Sequence, residues 1–253
     1  MKKKILTSFV FICLTLVLSA QSSSSERTPE FSFGILGGLN MPRLSGGSGN
    51  EMSRDYTSRS GEAFGLTVSK NLGSNFGLRV DLLYSSEGGK RNGVQAIDAS
   101  TINPLAPAGT YFYADFNNES ILNYLEIPVM LKYTIPVSKS SKLYANFGPC
   151  IGFLLNATQK TSGSSIIYAD REETTMIVPV AQSFNASTDV KSSINHNNFA
   201  LTGGIGFAQR AFSGAVFIDF RGAYGLTVIQ NDKKNGSSHN GNLLIDLGYS
   251  LPF

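Results

Sequence analysis

The sequence predicts an all-β fold: an eight-stranded antiparallel transmembrane up-and-down β-barrel. Three observations point there. Eight segments alternate apolar and polar residues with a period of two. The polar faces of those segments carry charges in mid-strand. The connections between them alternate without exception between long and short.

The chain has 253 residues, of which 42% are hydrophobic and 15% charged. It is too apolar for a disordered chain, and no stretch after the first 20 residues approaches the roughly 18 apolar residues of a membrane helix. The formal charge of +3 sits entirely in Lys2, Lys3 and Lys4. Without those three lysines, 18 basic residues face 18 acidic ones, which excludes the basic surface that nucleic-acid binding needs.

Lys2 to Lys4, the apolar run Ile5–Leu18 and Ser19-Ala20 follow the plan of a secretory signal peptide over residues 1–20. The run of about 14 residues is short of the roughly 20 that span a bilayer. Cys13 lies inside this run and lacks the setting of a lipidated cysteine, so Cys150 is the one mature thiol and no intramolecular disulfide is expected. Residues 21–30 form a short Ser-rich tether, and residues 31–253 the barrel domain.

The first strand, within 31–40, puts Phe33, Ile35 and Leu39 on one face and Gly34 and Gly38 on the other. In the second, Phe64, Leu66 and Val68 oppose Gly65, Thr67 and Ser69. The third sets Phe76, Leu78, Val80, Leu82 and Tyr84 against Gly77, Arg79, Asp81, Leu83 and Ser85. In the fourth, Leu125, Ile127, Val129, Leu131 and Tyr133 oppose Tyr124, Glu126, Pro128, Met130 and Lys132. The fifth sets Leu143, Ala145, Phe147, Ile151 and Phe153 against Tyr144, Asn146, Gly148 and Gly152. The sixth sets Phe199, Leu201, Ile205 and Phe207 against Thr202, Gly204 and Gly206. The seventh, within 214–228, opposes Val216, Ile218, Phe220, Tyr224, Leu226 and Val228 to Asp219, Arg221 and Thr227. The last places Leu243, Ile245, Leu247, Tyr249, Leu251 and Phe253 on a wholly apolar face, with Asp246 opposite.

A soluble sandwich also alternates, so the polar faces discriminate. Arg79, Asp81, Glu126, Lys132, Asp219, Arg221 and Asp246 are three positive and four negative charges that a barrel turns into its lumen, where they pair as a polar plug. On the lipid side each would cost about 2–4 kcal/mol at the midplane. Long polar segments at about 41–60, 88–118, 156–197 and 231–241 alternate with short turns at 73–75, 137–141 and 210–213. A membrane barrel sorts its loops in this way; a soluble sandwich has no reason to.

The residues also resemble a known family, the outer-membrane β-barrel domain of Bacteroidetes-type bacteria (PorT-like, "porin family"). Gly37-Gly38-Leu39-Asn40, Tyr124-Leu125-Glu126-Ile127-Pro128 with Leu131-Lys132-Tyr133, Gly148-Pro149 with Gly152, and the terminal Phe253 carry the resemblance. It implies an exported protein of the bacterial outer membrane, embedded in its lipid. It also implies insertion by the outer-membrane assembly machinery, which reads a last strand such as Tyr249, Leu251 and Phe253.

Eight strands leave an interior that side chains just fill. The expected role is therefore structural or binding, at the cell surface, through the long loops and an extracellular ligand. A PorT-like accessory role among secretion-system proteins and a narrow channel for small solutes are the alternatives. Tyr111-Phe112-Tyr113 with Phe116, Ile166-Ile167-Tyr168 and Met176-Ile177-Val178 read as strands projecting past the membrane, available for contact or paired as a rim. His196 and His239 fall in loop sequence with no catalytic motif and no ligand spacing. No enzyme, cofactor or metal site is expected, and a closed barrel is expected to be a monomer.

Overall fold

The computed structural model describes residues 30–47 and 49–253. The expected signal peptide and nearly all of the tether lie outside the described residues. Eight long strands form the barrel: β1 (Phe31–Ser45), β2 (Gly61–Asn71), β3 (Phe76–Arg91), β6 (Asn117–Pro136), β7 (Ser141–Ser162), β11 (Asn197–Ala211), β12 (Gly214–Val228) and β13 (His239–Pro252). Five short strands complete the chain: β4 (Val94–Asp98), β5 (Tyr111–Asp115), β8 (Ser164–Tyr168), β9 (Met176–Ser183) and β10 (Ala186–Asp189).

Around the ring the order is β7-β11-β12-β13-β1-β2-β3-β6, and β6 pairs back onto β7 from Asn117↔Ser162 to Pro136↔Lys142. Every neighbouring pair is antiparallel, and β13 closes on β1, Pro252 facing Ser32. Closure leaves no sheet edge, so each spanning residue finds its backbone partners within the wall.

Burial inverts that of a soluble protein. Leu39, Phe147, Ile205 and Leu247 are 60–67% exposed on the outer surface, whereas Asp81, Asp219 and Asp246 are at most 1% exposed inside. The apolar faces read from the sequence are the outer faces of the ring.

The strands outrun the lengths expected of them. β1 continues to Ser45, β3 to Arg91, and β6 and β7 begin and end well past the apolar belt. The extensions mix polar and apolar residues on both faces, so the period-two signal fades there while backbone pairing continues. Within the expected loops, β4 pairs with β5, β5 meets β8 at Tyr113↔Tyr168, and β8 pairs with β9, making a second, four-stranded sheet. β10 lies along β7 at Thr158–Thr161, beyond the stretch of β7 that β11 covers.

A bulge interrupts β7 near the long-loop end of the barrel. Asn123 faces Asn156 but Tyr124 faces Leu154, so Leu155 is extra and the side-chain alternation of β7 flips there. Both Leu154 and Ala157, three residues apart, therefore point inward and are buried.

Candidate functional site

The lumen is built in three storeys. The lowest is an ionic strap. β3 and β12 stand opposite each other in the ring, four places apart. The sequence Arg79-Val80-Asp81 on β3 and Asp219-Phe220-Arg221 on β12 point inward with inverted charge order. Arg79 Nη1 donates to Asp219 Oδ2 at 2.6 Å, and Arg221 Nη1 to Asp81 Oδ2 at 2.7 Å. Two reciprocal ion pairs thus cross the whole barrel. Arg79 Nε also binds Asp81 at 2.8 Å, and Arg221 binds Asp246 through Nε and Nη2 at 3.1 and 2.7 Å.

Asp219 and Asp246 are directly paired in register on neighbouring strands. Two carboxylates so placed repel each other, and the two guanidinium groups reached from β3 and β12 offset that repulsion. Gly206 leaves the room: a Cβ there would stand 2.3 Å from Asp219 Oδ1 and from the Tyr144 ring.

The strap joins five of the seven charges expected in one network. Lys132 instead lies over the Tyr144 ring at 4.0 Å, and no ion pair within 4.0 Å forms at Lys132 or Glu126 among the described residues. Both face inward; Lys132 is taken up by the Tyr144 ring, and Glu126 sits higher.

The second storey was not foreseen from sequence. Glu87 is buried, and its Oε1 accepts from Asn40 Nδ2 at 2.8 Å, Ser85 Oγ at 2.7 Å and Asn242 Nδ2 at 2.7 Å. Arg59, from the loop before β2, donates to Ser86 Oγ and to the Glu87 carbonyl, and pairs with Glu119 at 2.8 Å. Glu87 was missed because it lies past the last apolar residue of its strand, in what reads as loop.

The top storey is apolar. Leu44, Leu122, Tyr124, Leu154 and Ala157 from the wall pack with Ile194 and Ile229 from two loops, and Tyr56 and Val190 pack on them. This stopper fills the long-loop mouth.

Above it, the loops are tied together by charge. Arg171 binds Glu51 and Asp55 at 3.3 and 2.8 Å, Arg54 binds both of the same acids, and Arg91 donates to the carbonyls of Glu51 and Arg54. Burial pushes the Asp55 carboxyl up, but the Arg171 hydrogen bond and the charges of Arg54 and Arg171 outweigh it and hold the group below its ordinary value. The second sheet carries exposed Met176, Ile177 and Val180, with Leu105 91% exposed on the neighbouring loop.

His196 is exposed beside the start of β11. His239 departs from the expectation of a loop residue. It begins β13, pairs with Ser45 and Val228, and stacks on Tyr224 at 6.3 Å, because β13 starts earlier than its apolar alternation. At the chain end, the Phe253 ring stacks on Phe31 at 5.7 Å and its N–H donates to the Phe31 carbonyl, while the Tyr249 hydroxyl donates to the Ala211 carbonyl. Leu251 is exposed on the belt. Cys150 is buried and faces inward.

The family model "Outer membrane protein beta-barrel domain" matches residues 19–231. The chain belongs to this outer-membrane barrel family. Its place is the bacterial outer membrane, with the belt in lipid.

No curated protein matches the chain. Solved structures similar to it include the attachment invasion locus protein Ail of Yersinia pestis, at 13% identity and a TM-score of 0.38, covering 88% of this chain and 99% of that one. Neisserial surface protein A gives 11% identity and a TM-score of 0.40, over 87% and 97% of the two chains. OprG of Pseudomonas aeruginosa gives 11% and 0.38, over 91% and 100%.

Proposed function

We propose that this barrel is a non-conducting membrane anchor whose work is done by its extracellular crown, in binding or surface contact. The reciprocal Arg79–Asp219 and Arg221–Asp81 pairs carry the reading. They span the lumen from β3 to β12, under a second polar storey and an apolar stopper. Opening a path for ions would mean separating buried charges that hold each other, at several kcal/mol.

The crown suits contact. Its four-stranded sheet continues from the barrel strands and holds exposed apolar side chains. Neither histidine supports a reaction there: His196 is exposed and His239 is occupied by its stack with Tyr224. In this reading residues 1–20 are removed on export, and Tyr249, Leu251 and Phe253 present the last strand to the assembly machinery. The PorT-like kinship, with a role beside a secretion system, rests on Tyr124–Pro128 and the glycine positions; the alternative of a narrow pore is opposed by the strap.

Recording across planar bilayers tests the anchor reading. The reconstituted protein is expected to show no steady conductance, and a stable open level lost in Arg79→Ala would refute it. Excising the 94–115 and 164–183 segments is expected to leave a heat-modifiable barrel while abolishing surface binding or adhesion by whole cells.

A further inference from the structure

Between the ionic strap and the apolar stopper lies a chamber with more negative charge than its neighbours answer. Glu87 on β3 and Glu126 on β6 enter it from adjacent strands, four register positions apart, with the Ser85 hydroxyl, bonded to Glu87, between them. The three donors on Glu87 Oε1 are all neutral: Asn40, Ser85 and Asn242. Arg221, whose charge reaches Glu126, is held by Asp81 and Asp246, and Arg59, whose charge reaches Glu87, is paired with Glu119. Glu126 is only half-buried although it points inward beneath a closed stopper, so open volume lies beside it inside the barrel.

Neutral polar groups on the surrounding strands face the same lumen without partners. Asn198 is 4% exposed and its Oδ1 has no hydrogen bond; Asn240 is 3% exposed and neither amide atom has one. Tyr124, fully buried and beside Asn240, has an unpaired hydroxyl. Tyr124, Asn198 and Glu126 border one place, since a Cβ added at Gly152 would stand 3.4–3.6 Å from all three. Unpaired buried amides are costly, and a polar guest would satisfy them.

We propose that this chamber binds one divalent hard cation of the calcium class, with Glu87 and Glu126 as its charged ligands and the amide oxygens of Asn198 and Asn240 as neutral ones. Two carboxylates match a charge of two, and an all-oxygen set with amide carbonyls suits calcium or magnesium over the softer metals. The storeys above and below leave no open route, so the ion enters while the barrel closes and exchanges slowly afterwards. The proposal does not depend on the role of the crown.

The test refolds the mature chain from chelator-treated denaturant into detergent micelles free of lipopolysaccharide, with calcium, magnesium, zinc or chelator present. The expected result is one calcium or magnesium per chain surviving dialysis, with a higher unfolding midpoint than in chelator. Both effects are expected to vanish in Glu126→Gln and to persist in the crown variant Glu172→Gln. Three outcomes overturn the proposal. One is no retained metal in the unaltered chain and the same midpoint with or without chelator. Another is a midpoint raised by Glu126→Gln with no metal dependence, which means the carboxylates share protons instead. The third is retention of zinc alone, lost in Cys150→Ser, which makes it a soft-metal thiol site.

Discussion

Arg79 holds carboxylates from two walls of the barrel, Asp81 beside it and Asp219 across the lumen. Truncating it leaves Asp219 buried without its cation. Arg79→Ala is therefore expected to destabilise the barrel by about 3–5 kcal/mol, read as a shift of equilibrium urea unfolding in lipid vesicles. Replacing both ends with apolar residues, Arg79→Met with Asp219→Leu, should cost clearly less, because no charge is then stranded. Phe212 is a different single-residue case. It sits in the two-residue turn between β11 and β12 with φ +53 and is 97% exposed, so it takes a left-handed backbone and packs on nothing. Phe212→Gly is expected to stabilise the protein by up to about 1 kcal/mol in the same assay, since glycine adopts that conformation without the Cβ penalty.

Among the elements, the strand extensions and the crown depart most from the sequence reading. β6 and β7 are expected from their apolar alternation over 124–133 and 143–153, yet run over 117–136 and 141–162. Alternation reports lipid on one side and lumen on the other, and above the membrane neither contrast survives. The turn joining β8 to β9 shows how such polar segments are held. Asp170 accepts hydrogen bonds from the backbone N–H groups of Thr174 and Thr175 and from the Thr174 hydroxyl, and these bonds hold its pKa below the usual carboxylate range. A depressed carboxylate contributes order that is present above its unfolded pKa and lost as pH falls through the folded one. Residues 169–175 are thus expected to become protease-sensitive only under acid conditions below the ordinary aspartate range. Asp170→Asn, still an acceptor but without charge, should weaken the turn at neutral pH and remove most of that pH dependence.

The molecule as a whole is held by an arrangement opposite to that of a soluble protein, polar within and apolar without. Leu131, 51% exposed between Leu78 and Phe147 on neighbouring strands, lies in the belt. Leu131→Arg is expected to cost about 2–4 kcal/mol of folding free energy into a bilayer, and much less in a thin detergent micelle; equal costs in both would remove Leu131 from the lipid face. Much of this was legible from the sequence alone. Period-two alternation and the sorting of long and short connections determine eight spanning strands, which face meets lipid, and that Arg79, Asp81, Asp219, Arg221 and Asp246 point inward, because side-chain direction in a strand follows position by parity. Partnership across the ring was not legible. That Arg79 meets Asp219, 140 positions away, depends on β3 and β12 standing opposite each other. That Glu87 and Glu126 share a chamber depends on strand register and on the β7 bulge that builds the stopper above them. Parity is local and written along the chain; closure, register and opposition are properties of the ring, and only the tertiary structure decides them.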